Sequence, residues 1–239
     1  KDKSGKWLYP SEVETKNGKF FHKITGEEVY EGKLEKMSKS KNNVIDLDLM
    51  LEAHGADTIR MFVLSDSPAE RDLEWSNAGI DGCKKFIAKL TAQTDKIFNL
   101  LKKDKSNSKN NNELNSQVHA TIKNVTEDIL AYRLNKAIAR IRELFNYVSD
   151  EMSKESGDLT NSYFGIKTVI QLLNPFIPHI TEELWQKVYA RLNEVQNNDF
   201  RSIMLESYPV VNSDLTNAAA EDSINFTKDI RSEEHTSEL

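Results

Sequence analysis

The chain has 239 residues, 38% of them hydrophobic and 29% charged, with a formal net charge of −6. That length supports one large core or two smaller ones, and no apolar run approaches the ~20 residues that span a bilayer. A single cysteine, Cys83, excludes an internal disulfide and a cysteine-based zinc cluster, and it suits a reducing compartment such as the cytoplasm. An acidic total does not exclude an RNA partner, because phosphate contacts depend on local patches.

Residues 1–35 read as short strands and turns: Trp7-Leu8-Tyr9-Pro10, then the hairpin signal Asn17-Gly18, then Phe20-Phe21. They look like the end of an element whose beginning lies upstream, which predicts exposed apolar surface near Trp7, Phe20 and Phe21. Residues 36–75 begin with a lysine-serine loop. Leu47 to His54 then has helical spacing and stops at Gly55, and Thr58 to Leu64 is a short helix or strand. Asp57 and Arg60, three apart, are expected to pair on one turn. Residues 76–192 carry four amphipathic stretches: 76–102, 118–148 with an offset near Tyr132 consistent with a break, 159–173, and 182–192 capped by Thr181.

Trp75 and Trp185 lie within apolar patterns and are expected in the core, as is Cys83. His54, His119 and His179 are scattered without metal-site spacing, and His179 reads as a local hydrogen-bonding residue. Residues 193–230 are polar and weakly patterned, and are expected to be the truncated start of a carboxy-terminal extension. Residues 231–239 resemble a translated sequencing adapter. The expected fold is mainly α: a β-hairpin remnant, the loop with its connecting helices, then an antiparallel four-helix bundle.

The loop itself is Lys36-Met37-Ser38-Lys39-Ser40, followed by Lys41-Asn42-Asn43-Val44-Ile45-Asp46. Ammonium groups at this spacing among small hydroxyl residues suit a polyphosphate whose charge changes during reaction. From charge alone, a solvated basic loop is the commoner explanation.

The order of residues in this run resembles the signature loop of class I aminoacyl-tRNA synthetases, and its flanks are similar to the leucyl branch of that family. Those flanks are Thr25-Gly26-Glu27-Glu28-Val29, Gly55-Ala56-Asp57-Thr58-Ile59-Arg60, the run from Ser67-Pro68 to Glu74-Trp75, and the run from Leu173-Asn174-Pro175 to Leu184-Trp185. The valyl and isoleucyl branches usually carry glycine where this chain has Asn42, which argues against a relative of those types. The resemblance implies a leucine–tRNA ligating parent that uses ATP with Mg2+, leucine and tRNA(Leu) in the cytoplasm.

It also implies roles for individual residues. Lys39 would be the ATP contact, Lys36 would shape the loop, Met37 would anchor it, and Ser38 and Ser40 would support its backbone. The bundle would be of the anticodon-binding type and lie along the tRNA. Lys84, Lys85, Lys89, Arg133, Lys136 and Arg140 are then candidates for phosphate contact, with a merely solvated face as the alternative. No His-containing ATP motif or GxGxxG fingerprint appears in these residues, so activity alone is not expected. A free-standing tRNA-binding module is the other reading the sequence leaves open. No metal site is expected.

Overall fold

The computed structural model describes residues 1–33, 35–103, 112–154, 157–193 and 201–212. The expectations for 231–239 and for most of 193–230 lie outside these residues. Two compact units are present, Lys1–Gly55 and Ala56–Leu239.

In the first unit, Asn17 and Gly18 take φ of 52° and 74°, the left-handed pair a tight hairpin turn requires. The turn joins β1 (Val13–Lys16) to β2 (Lys19–His22) and sets Lys16 opposite Lys19. A third strand, β3 (Glu28–Val29), pairs antiparallel with β2 and places Val29, which is buried, opposite Phe20. Trp7, Phe20 and Phe21 are consequently half-buried rather than exposed. The hairpin reading lacked this extra strand and the return of the chain, where the amino terminus donates to Tyr30 O at 2.8 Å. The exposed large apolar side chains of this unit include Tyr9, Ile24, Tyr30, Met37 and Val44 and, on α1 (Leu47–His54), Leu47, Leu49 and Leu51. Asp46 caps α1, its carboxylate accepting from the amides of Asp48 and Leu49 at 3.0 and 3.3 Å.

The second unit contains α2 (Ala56–Asp66), α3 (Asn77–Lys103), α4 (Asn112–Leu130), α5 (Leu134–Glu151), α6 (Leu159–Leu173) and α7 (Pro178–Asn193). Among the described residues, five helices therefore occupy the stretch in which the apolar pattern suggested four. The long 118–148 pattern breaks at Tyr132, whose φ is 56°. Helix α2 packs on α3 and α5, joining the helical layer rather than forming a separate connector.

The core is the set of stripes that these helices turn inward. It contains Met61 and Phe62 of α2, Leu90 and Ile97 of α3, Val118 and Val125 of α4, Ile141 and Phe145 of α5, Val169 of α6 and Trp185 of α7. Each fully buried side chain of this size contributes about 1.5–3 kcal/mol. Trp75 packs edge-on against Phe62 with ring centroids 5.5 Å apart. At Gly165 a Cβ would sit 2.6 Å from Val148 Cγ2, so the absence of a side chain sets how closely α5 and α6 approach. After α7, the chain crosses back over the helices. Ser202 Oγ and Ile203 N–H donate to Glu182 Oε2 at 2.7 and 3.1 Å, and Asn212 N–H donates to His119 Nδ1 at 3.2 Å.

Asp57 and Arg60 do not pair with each other. The buried Asp57 accepts from Ile180 N–H at 2.7 Å and bonds His179 Nδ1 at 2.8 Å. Arg60 donates to Phe176 O and Pro175 O at 2.9 and 3.2 Å. Helix α7 begins at Pro178, whose missing N–H costs nothing in the first turn. Thr181 is therefore inside the helix, donating to Ile177 O at 2.8 Å. The cap comes from Asp57, far away in sequence, and His179 bonds across that same distance rather than locally. Asp57→Ala leaves the Ile180 amide without its acceptor and should lower unfolding free energy by about 1–3 kcal/mol. An unchanged denaturation midpoint would refute this capping role.

Candidate functional site

The lysine loop is held by its asparagines. Asn43 Oδ1 accepts from Ser38 N–H at 2.7 Å, and Asn43 Nδ2 donates to Lys36 O at 3.4 Å, so one side chain spans the turn. Asn42 takes the left-handed conformation, φ 51° and ψ 25°, and its Nδ2 donates to Trp7 O at 3.2 Å. Just ahead of them Lys39–Lys41 forms one 3-10 turn, closed by Lys41 N–H to Ser38 O at 3.0 Å. Ser38 and Ser40 share a hydroxyl hydrogen bond of 2.8 Å.

Of the three lysines, Lys41 is paired with Glu35 and lies 5.8 Å from the Trp7 ring centroid. Lys36 and Lys39 are exposed and form no ion pair among the described residues. Met37 is exposed. The residues that fasten this turn, Asn42, Asn43 and Trp7, were missed as site residues. The signal available for the first two was their place directly after the lysines, in a residue type that tolerates positive φ.

The six basic candidates fall into two groups. Lys84, Lys85 and Lys89 are exposed on α3, and Lys89 Nζ donates to Asn146 Oδ1 at 3.2 Å and sits 5.3 Å from the Phe145 ring centroid. Arg133, Lys136 and Arg140 lie on α5 and the turn before it. Arg133 Nε and Arg140 Nε donate to the two oxygens of Asp128 at 2.8 and 2.6 Å, and Asp128 is 2% exposed. These arginines are therefore bound to the fold as well as facing solvent. Burial pushes the Asp128 carboxyl up, but hydrogen bonds and charge from Arg140 and Arg133 outweigh it and leave it below the ordinary carboxylate range. Burial alone lowers His119.

Among the described residues no cluster of His, Cys, Asp and Glu could hold a metal ion, and no helix is long and apolar enough to cross a membrane.

A strand-and-turn unit carrying a lysine loop is joined in sequence to a helical unit with exposed basic side chains on two of its helices. The family model for the anticodon-binding domain of tRNA ligase matches residues 111–236, more than half of the chain, and that for class I tRNA synthetases (I, L, M and V) matches residues 13–76. The chain belongs to this tRNA ligase family.

Within the family its relatives are leucine–tRNA ligases. It is 48% identical over 237 residues to the leucine–tRNA ligase of Rickettsia massiliae, covering 98% of this chain and 28% of that protein. It is 55% identical over 188 residues to that of Rickettsia felis, covering 79% of this chain and 22% of that protein. The chain thus spans under a third of the length of these curated relatives. The fold is similar to that in the crystal structure of the ternary complex of Agrobacterium radiobacter K84 agnB2 LeuRS, tRNA and LeuAMS. The TM-score is 0.62 at 24% identity, covering 77% of this chain and 23% of that one.

Because the Asp128 carboxyl titrates lower in the folded state than in the unfolded one, its stabilisation is complete above about pH 4 and is lost as pH falls through the folded value. Asp128→Asn should cost about 1–3 kcal/mol at neutral pH and flatten the acid limb of the stability curve. Chemical denaturation at several pH values measures both. An acid limb unchanged by the substitution would contradict the assignment.

Proposed function

We propose that these residues are part of a cytoplasmic leucine–tRNA ligase, to which they contribute the ATP-facing lysine loop and a helical tRNA-binding surface. The supporting observation is the loop's division of labour: Lys41 is paired with Glu35, whereas Lys36 and Lys39 are exposed and have no ion-pair partner among the described residues. Activation of leucine attacks the α-phosphate of ATP and expels pyrophosphate, moving negative charge onto the leaving group. A cation on a short, hydrogen-bonded turn meets that charge as it develops and stabilises the transition state more than the bound substrate. Lys39 is the residue assigned to this contact, Lys36 adds charge beside it, and Ser38, Ser40, Asn42 and Asn43 hold the turn. Mg2+ enters with ATP as part of the substrate.

On the helical side, exposed Lys84, Lys85 and Lys136 suit phosphates, which position RNA without reading its sequence. Arg133 and Arg140 contribute what Asp128 leaves of their charge. These residues form one lobe of the reaction site on this reading, so the 239-residue chain alone should not charge tRNA.

In the full-length ligase, Lys39→Ala should lower leucine-dependent pyrophosphate exchange by about 10²–10³ while leaving leucine affinity nearly unchanged. Exchange at the wild-type rate would refute the role of Lys39. In the 239-residue chain, replacing Lys84 and Lys85 with alanine should weaken tRNA binding and reduce its log–log salt slope by roughly one per lost contact. An unchanged slope would leave these lysines as solvated surface.

A further inference from the structure

Helix α4 ends with two hydrogen bonds: Arg133 N–H donates to Asp128 O at 2.8 Å, and Tyr132 N–H donates to Ile129 O at 3.0 Å. This pair of bonds marks a helix end whose turning residue is left-handed, and Tyr132, at φ 56°, is that residue. Glycine is the usual occupant, because an L side chain is strained there. A bulky residue at such a position is normally compensated by packing. Tyr132 is not packed: it is 77% exposed, and its neighbour Leu130 is 75% exposed. The fold thus keeps a strained aromatic ring in solvent where the smallest residue would serve the turn better. Strain that folding does not need points to a role in binding.

The surroundings indicate the ligand. Arg133 follows directly, with Nε fixed on Asp128 and 46% of its side chain exposed. Lys136 is exposed one turn on, and Arg140 is fixed on the other oxygen of Asp128. Positions 133, 136 and 140 share one face of α5. Three cations stand at this corner, with the Asp128 carboxylate buried against two of them and the carboxylates of Glu127 and Glu143 exposed, Glu143 lining one shallow pocket with Arg140. An exposed ring followed in sequence by an oriented guanidinium, with an exposed ammonium one turn on, is the chemistry that takes an unstacked base with its flanking phosphates. A protein partner's apolar anchor gains nothing from that charge. The corner also falls inside residues 111–236, which match the anticodon-binding family.

We propose that Tyr132 is a stacking platform for an unpaired base of the bound tRNA, with Arg133 and Lys136 on adjacent phosphates. The proposal rests on the tRNA-binding reading above and adds a residue and a mode of contact to it.

The test compares Tyr132→Gly and Tyr132→Phe in the 239-residue chain, measuring thermal unfolding and affinity for a leucine tRNA transcript and for a blunt RNA duplex. Tyr132→Gly should melt at the same or a higher temperature, because the strain is gone. It should bind the transcript about 10-fold more weakly or worse, and bind the duplex as the wild type does. Tyr132→Phe should behave as wild type on both RNAs.

Wild-type transcript affinity in Tyr132→Gly would overturn the proposal and leave the corner to a protein partner or to none. A lower melting temperature in that variant would overturn it too, because the ring would then serve the fold. If the Lys84 and Lys85 substitutions weaken transcript binding and Tyr132→Gly does not, the tRNA reading stands and this inference alone fails. If the wild-type chain does not bind the transcript, both fail.

Discussion

The helical unit depends on one contact between residues far apart in the chain, made by Asp57 and Arg60 on the turn that starts α7. Four backbone and side-chain groups of that turn are satisfied from α2: the Pro175 and Phe176 carbonyls by Arg60, the Ile180 amide and the His179 ring by Asp57. A turn containing two prolines cannot satisfy these groups by continuing a helix. Left alone, the partly buried Phe176 carbonyl and Ile180 amide would cost more than their hydrogen bonds gain. The clamp therefore fixes where α7 begins, and the burial of Leu184, Trp185 and Val188 follows from that start.

Much of this was legible in one dimension. The Asn17-Gly18 turn, the stripe of α3 and the stop at Gly55 are local, set by backbone preference and periodicity, and local rules suffice for them. The break at Tyr132 was visible only as an offset, since a left-handed tyrosine is not a residue that sequence rules expect at a helix end. The Asp57–Arg60 assignment failed for a physical reason. Spacing of three favours a pair on an exposed helix, but Asp57 is buried, and a buried carboxylate goes to the donors that need it most.

The candidate site was legible as composition but not as geometry. Lysines and serines announce a loop that can meet phosphate, yet which ammonium stays free depends on Glu35, Asn43 and Trp7. The basic helical residues divide in the same way. Sequence marks Arg133 and Arg140 as cationic, and only the fold reveals that both share Asp128. Their guanidinium groups are oriented before any ligand arrives, which lowers the ordering cost that binding must meet.

On the proposed reading, the pairing of Lys41 with Glu35 would bear on turnover. A loop offering three free ammonium groups to a polyphosphate would hold the departing fragment as firmly as the incoming nucleotide. Release would then be slowed. On the same reading, pairing one lysine with Glu35 would lower the charge that the turn presents to the leaving group and so ease its departure. In a ligase with this loop, Glu35 would set how quickly the site clears for the next nucleotide.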